Sequence, residues 1–364
     1  MKFLRATRPA TAVLRQHQRR CQSSFSHLDA ELRARKIRPI FEDMTPLSSY
    51  RLGITMNEFL PSVPTPRLLP PATKADILPI PHHLVYFETS LPPSELLDDG
   101  TNPVHSPGKP FSRRMWAGGN IRYSTTNPLR LDGRRAACVE GIRSATVKGR
   151  PGEEKVFVGI ERRLGYLNDD EVHALATVNA TSDAAVSDIE ARIRTRLWRD
   201  SEEDLGDCSV LERRNIVFLQ ESPKKQTTAA DATPSPPKIL KPTKEPSLFK
   251  HEILPDAKLL FRFSALTFNA HAIHLDPKFC LDIEGHRDLL FHGPLGYTFL
   301  MTLLQQKLAE GEKISYVEYR NLAPVYCNEP ATFCGAKEGD KYEVWLQGPD
   351  GGVKVKGLVR TTRT

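Results

Sequence analysis

Residues 261–296 read FRFSALTFNAHAIHLDPKFCLDIEGHRDLLFHGPLG and constrain the chain more than any other stretch. The apolar run Leu259 to Phe263 reads as a strand. His271 and His274 follow it close to Asn269 and Asp276, and His292, Gly293 and Pro294 open an apolar helix. Polar groups crowded where a strand ends are held rigidly yet exposed, so the stretch reads as a reaction centre. A metal does not fit the spacing: HExxH and CxxC are absent, and His271 with His274 would still need a third ligand. From spacing alone, His292-Gly293-Pro294 is equally well a plain helix start, since Pro in the first turn costs no intrahelical bond.

His274 to Phe279 (HLDPKF) followed by His292-Gly293 resembles the MaoC-like hydratases and dehydratases. With the register fixed at His274, Asn269 falls on that family's catalytic aspartate and His271 on its asparagine. The longer string TFNAHAIHLD (Thr267 to Asp276) resembles the hydroxyacyl-thioester dehydratases type 2 and the mesaconyl- and itaconyl-CoA hydratases. There the asparagine is the ordinary residue, while Ala272 and Leu275 replace the usual arginine and tyrosine.

The resemblance implies an α+β double hot-dog fold, each half a curved antiparallel sheet around a central helix, and reversible loss of water from a (3R)-3-hydroxyacyl thioester. His274 is then the proton-moving group, because a histidine can take and return a proton near neutral pH. Asn269 steers the departing water through its amide. Gly293, with His292 before it, supplies the oxyanion site at a helix N-terminus. Thr267, His271, Trp116, Arg320 and Asn321 are the candidate substrate-binding residues. Arg320 and Asn321 belong to RNLAPVY, which is similar to a further family segment, but on their own they serve equally well to tie a strand end to its loop. No metal or other cofactor is implied.

The first 28 residues hold Lys2, Arg5, Arg8, Arg15, Arg19 and Arg20 and no acid, without a long apolar core. They read as a mitochondrial presequence, with a cleavage neighbourhood around Arg19 to Ser24 and a matrix destination. To residue 36, nine Lys and Arg face Asp29 and Glu31, a net of +7 that equals the formal charge of the whole chain. The remainder is close to neutral, which removes the case for nucleic acid. No membrane span is expected. Cysteines at 21, 138, 208, 280, 327 and 334 have no framework spacing and fit reduced thiols, Cys280 packed rather than reactive.

Residues 222–247, rich in Pro, Lys, Thr and Ala, read as a solvated linker between a first domain, 37–221, and a catalytic domain, 248–364. HLVYF and FSRRMWAGG (Phe111 to Gly119) resemble the first repeat of the same dehydratases. That repeat lacks the histidine cluster, so its implied role is to shape the acyl-chain groove, as a monomer forming a pseudo-dimer or as a homodimer. His82 and His83 read as surface, packing or ligand residues alike, and Trp116 as groove or core. Strands are expected at 120–124, 135–143, 155–159 and 215–220, the last closing the first sheet, and at 314–319, 342–347 and 353–359. Residues 171–210 read as an insertion with a loose helical stripe through Ala184, Val186, Ile189, Ile193, Leu197 and Trp198. The helix from Pro294 is expected to run to Gly311. Between Arg113 and Arg163, twelve Lys and Arg outnumber five acids, a patch suited to coenzyme A phosphates or an acyl carrier protein. Three alternatives stay open: hydration of a short branched or dicarboxylic enoyl-CoA, a non-catalytic acyl-thioester-binding protein and, last, a hot-dog thioesterase, which His292-Gly293-Pro294 fits least because no carboxylate lies near.

Overall fold

The structure, a computed structural model, describes residues 25–179, 181–220 and 239–363. The first half contains α1 (Leu28–Arg33), β1 (Ile40–Asp43), α2 (Pro46–Asn57), β2 (Arg113–Tyr123), β3 (Arg135–Lys148), β4 (Lys155–Tyr166), α3 (Asp169–Thr177), α4 (Asp183–Leu197) and β5 (Val210–Leu219). The second contains β6 (Phe249–Ile253), α5 (Ala257–Leu266), α6 (Pro277–Phe279), α7 (Gly293–Gln305), β7 (Glu312–Asn321), β8 (Ala331–Glu338), β9 (Lys341–Gln347) and β10 (Val353–Arg363).

The strands form one antiparallel sheet in the order β1-β3-β4-β5-β2-β7-β10-β9-β8-β6. With β6 to β10 put in place of β1 to β5, the order reads the same from either end. Two like halves therefore meet through β2 and β7, where Gly118 to Arg122 pair with Arg320 to Tyr316. Two glycines of β2 allow its neighbours to approach closely: a Cβ on Gly118 would lie 2.2 Å from the Tyr319 carbonyl oxygen across the seam, and one on Gly119 1.9 Å from that of Arg213 on β5. This is the double hot-dog arrangement. The strands expected from alternation all fall in the sheet, although β5 inserts between β4 and β2, while β1, β6 and β8 were not foreseen.

In the second half α7 is buried along its length, with Leu295, Phe299, Leu300, Leu303 and Leu304 in the core. It stops at Gln305 rather than at Gly311, which instead takes φ +75 in the turn into β7. Between α2 and β2 the first half has only short 3-10 turns. One of them, His82–Val85, leads to Phe87, whose carbonyl accepts a bond from Arg162. Beneath it Glu140, Arg162 and Glu212 stand opposite one another on β3, β4 and β5. Arg162 reaches Glu140 at 3.0 Å and Glu212 at 3.3 Å, all three buried.

Leu259 to Phe263 are helical, within α5, where a strand was expected. Asp256 caps that helix by accepting from the Leu259 N–H at 2.8 Å. Leu259, Leu260 and Phe263 face the core while Phe261 is 62% exposed, a helical and not an alternating pattern. The insertion forms α3 and α4, which cover β3 through Ile189, Ile193 and Leu197. Residues 1–24 and 221–238, the bulk of the expected presequence and linker, lie outside the described residues. Phe25 and Leu28 already pack against Phe111 and its neighbours. Within 239–247, Leu240 accepts a bond from Val353 and Lys244 pairs with Glu338 and Glu343. No helix among the described residues is long and apolar enough to cross a membrane.

Candidate active site

Three histidines gather where α5, the loop after it and the start of α7 meet. His274 lies in a 3-10 turn, buried, and its Nδ1 is 2.7 Å from the Leu290 carbonyl oxygen. A carbonyl can only accept, so Nδ1 carries the hydrogen and Nε2 keeps its lone pair. Burial pushes His274 down to about 4, against the smaller upward pull of that hydrogen bond, so the ring is neutral at physiological pH. His292 stacks on it, with centroids 3.6 Å apart. Its Nε2 meets the Ser264 hydroxyl at 2.9 Å and Phe263 packs on its edge. His271 stands edge-on to His274 at 5.6 Å. Burial, then the neighbouring histidines, hold both His271 and His292 well below the ordinary histidine range.

Gly293 is the first residue of α7, so its N–H has no acceptor within the helix. A Cβ there would come within 2.7 Å of Asn321 Nδ2, which places the Asn321 side chain against the helix start. Asn321 in turn donates to the Trp116 carbonyl at 2.8 Å, and the Trp116 indole donates to the Tyr319 hydroxyl at 2.9 Å. His271, His274, His292, Gly293 and Asn321 thus come together, with Trp116 next to them in the seam. Asn269 closes its own loop by accepting from the His271 N–H at 3.0 Å. The Thr267 hydroxyl is spent on the Phe263 carbonyl at the end of α5. Arg320 is 75% exposed and pairs with Glu318, away from this group.

Sequence reasoning missed Ser264, the Leu290 carbonyl, Arg114 and Asp99. Asp99, from the first half, lies 3.5 Å from His271 and has only a turn-like Asp-Asp-Gly string to mark it. The basic patch expected over 113–163 is dispersed. Arg162 and Arg163 are fully buried against Glu140, Glu212 and Glu161, Arg143 also pairs with Glu161, and Arg113 pairs with Glu284. Alternation along β3 and β4 put these side chains on inner faces, which a count of charges does not register. A cavity of about 360 Å³ opens between the halves, lined by Ile77, Leu78, Ile80, Leu129, Val210 and Leu308 among others. Tyr123 also lines it and shares a hydrogen bond with Tyr297 of α7 at 3.0 Å.

The chain resembles solved MaoC-like dehydratases in fold. One from Phytophthora capsici superposes with a TM-score of 0.51 over 90% of this chain and 95% of the other, at 12% identity. Among curated proteins, the mesaconyl-C(4)-CoA hydratase of Chloroflexus aurantiacus is 28% identical over 78% of this chain and 83% of its own. The mitochondrial hydroxyacyl-thioester dehydratase type 2 of Schizosaccharomyces pombe is 27% identical over 73% and 79%. The model of one family matches residues 81–186 and 170–327, from the first-half turn past the histidine centre. On that match, the chain belongs to the hydroxyacyl-thioester dehydratase type 2 family.

Proposed function

We propose that the protein is a hydro-lyase interconverting (3R)-3-hydroxyacyl and trans-2-enoyl thioesters, on acyl carrier protein, in fatty acid synthesis of the mitochondrial matrix. The observation that carries the reading is His274: its tautomer is set by the Leu290 carbonyl and burial keeps it neutral, beside the free N–H at the start of α7. Nε2 takes the proton alpha to the thioester carbonyl, and the Gly293 N–H holds the oxygen on which charge develops. The carbon–oxygen bond at C3 then breaks, and His274 gives the same proton to the leaving oxygen. Asn269 shapes the loop that carries His271 and His274. Trp116 and Asn321 support the helix start, and Thr267 and Arg320 serve from the rim. The domains divide at 222–247, the first shaping the acyl groove. A fatty chain would suit the largely apolar cavity between the halves, whose lining does not include the three histidines. The basic segment 1–28 and the mitochondrial relative support the location.

One observation favours a second reading, a short dicarboxylic enoyl-CoA. Arg114 has two buried guanidinium nitrogens, Nε and Nη2, without a partner among the described residues, and its charge acts on His271. Such a group would take a substrate carboxylate.

The test is loss of the enoyl thioester's ultraviolet absorbance with purified protein, offered crotonyl, trans-2-decenoyl and mesaconyl thioesters. Hydration of the first two, reduced at least about a hundredfold in His274→Ala, supports the proposal. Mesaconyl-CoA as the sole substrate selects the second reading. Acyl-CoA binding without any turnover would leave a non-catalytic thioester-binding protein.

A further inference from the structure

The histidines all come from the second half, yet the first half reaches them with a carboxylate. Asp99 Oδ2 lies 3.5 Å from His271 Nε2, and the two residues are only 8% and 7% exposed. Asp99 Oδ1 accepts from both the N–H and the hydroxyl of Thr101. Oδ2 makes no hydrogen bond among the described residues; His271 Nε2 is its ion-pair neighbour, and the charge of Arg114 also acts on Asp99.

This approach is built into the backbone. The Asp99 carbonyl accepts from the Ala272 N–H at 2.8 Å. Gly100, at φ +79, presses so closely on the second half that a Cβ would sit 2.1 Å from the Ala270 carbonyl oxygen. Loops 97–101 and 269–272 are thereby stitched together, which fixes where Asp99 stands. The loop itself offers no such group: residues 269–275 (NAHAIHL), which carry His271 and His274, contain no carboxylate.

We propose that Asp99 is a positioning residue of the dehydration, supplied by the first half to orient His271. The inference rests on the reaction proposed above. A carboxylate beside an imidazole draws the hydrogen to the facing nitrogen. His271 is then protonated at Nε2 and offers Nδ1 as acceptor to the substrate's 3-hydroxyl hydrogen. That hydrogen stays on its oxygen throughout. The second hydrogen of the departing water is the one His274 removed from the alpha carbon, so His271 and Asp99 end each cycle as they began. The other charged or titratable groups facing this pair are Arg114, His274 and His292.

Asp99→Asn keeps the shape and the bonds from Thr101 while removing the charge. Hydration of a trans-2-enoyl thioester is expected to fall about ten- to a hundredfold in kcat with KM little changed, the size seen when a reacting group loses its alignment. Asp99→Glu should recover part of it. A readout independent of turnover is the nitrogen-15 spectrum of labelled histidine, with the His271 signals identified by their loss in His271→Gln. The wild type should show the Nε2–H form and Asp99→Asn a mixture. Wild-type kcat in Asp99→Asn, or the same tautomer in both proteins, overturns the inference. Should Asp99→Asn fail to fold, a wild-type His271 protonated at Nδ1 alone would overturn it, and the Nε2–H form would support it. A wild type that hydrates no enoyl thioester would sink the proposed reaction instead, while the tautomer shift would still report on Asp99.

Discussion

His274 and His292 lie face to face, ring centroids 3.6 Å apart and planes 20° from parallel. A proton on either ring would sit against the other without solvent to disperse its charge, adding to the effect of burial. Burial, against the smaller upward pull of the Leu290 carbonyl, takes His274 down to about 4. The base should therefore stay unprotonated well into the acid range. At pH 5.5, kcat/KM for enoyl thioester hydration should retain nearly all of its neutral value, whereas a histidine of ordinary pKa would leave about a tenth. A pH–rate profile with its acid limb near 6.5 would contradict this.

Gly293→Ala should harm turnover more than stability. The new methyl would meet Asn321 Nδ2 at 2.7 Å, the free end of a side chain that can swing away, giving up its bond to the Trp116 carbonyl. The thermodynamic loss should be about 1 kcal/mol. Displacement of the helix-start N–H should lower kcat by about a hundredfold, as when an oxyanion donor is lost. Urea unfolding and steady-state kinetics on one preparation separate the two effects.

Stability should fall on mild acidification. His82, His83 and His274 are pushed by burial to about 4, and His271 and His292 are lowered as well. Their folded pKa values lie below the unfolded value near 6.5, so their contribution is complete above that pH and is lost as pH falls towards 4. Glu88, raised to about 7 by burial, and Glu42, also raised, act in the opposite sense, but two groups do not offset five. The urea midpoint should drop between pH 7.5 and 5, by about 1.4 kcal/mol per pH unit for each net proton the unfolded chain takes up. A flat profile would mean that these histidines are not buried neutral.

Arg162→Met should cost about 3–5 kcal/mol, because it leaves Glu140 and Glu212 buried without their shared partner. His105, 2.7 Å from Glu140, and Arg214, 2.8 Å from Glu212, keep the loss from being larger. Chemical denaturation of the variant measures it, and a change below about 1 kcal/mol would show that these neighbours suffice.

The second half was largely legible because local signals there are strong. A His-Gly-Pro start and a run of leucines define α7, and alternation defines β7, β9 and β10. α5 was misread since LLFRF fits both periods over five residues. The discriminating mark was Asp256, whose side chain caps the helix but which reads equally as a turn residue. The centre was legible only as far as contiguous sequence reaches. Asp99 meets His271 through a pairing of distant loops, and no spacing rule links residues so far apart. The row of Glu140, Arg162 and Glu212 was hidden for a related reason: each charge looks like surface until the strands are set side by side.

The β2–β7 ladder has a consequence for how the chain comes into being. β2 ends at Tyr123 and β7 begins at Glu312, so its partner is made last of all but three strands. At about 5–20 residues per second, the first half waits roughly ten to forty seconds with that flank bare. A naked strand edge is a template for any other extended chain, including a second unfinished copy. The glycine-lined strand that makes the finished molecule continuous is thus an open border during birth, and a place for a chaperone to hold.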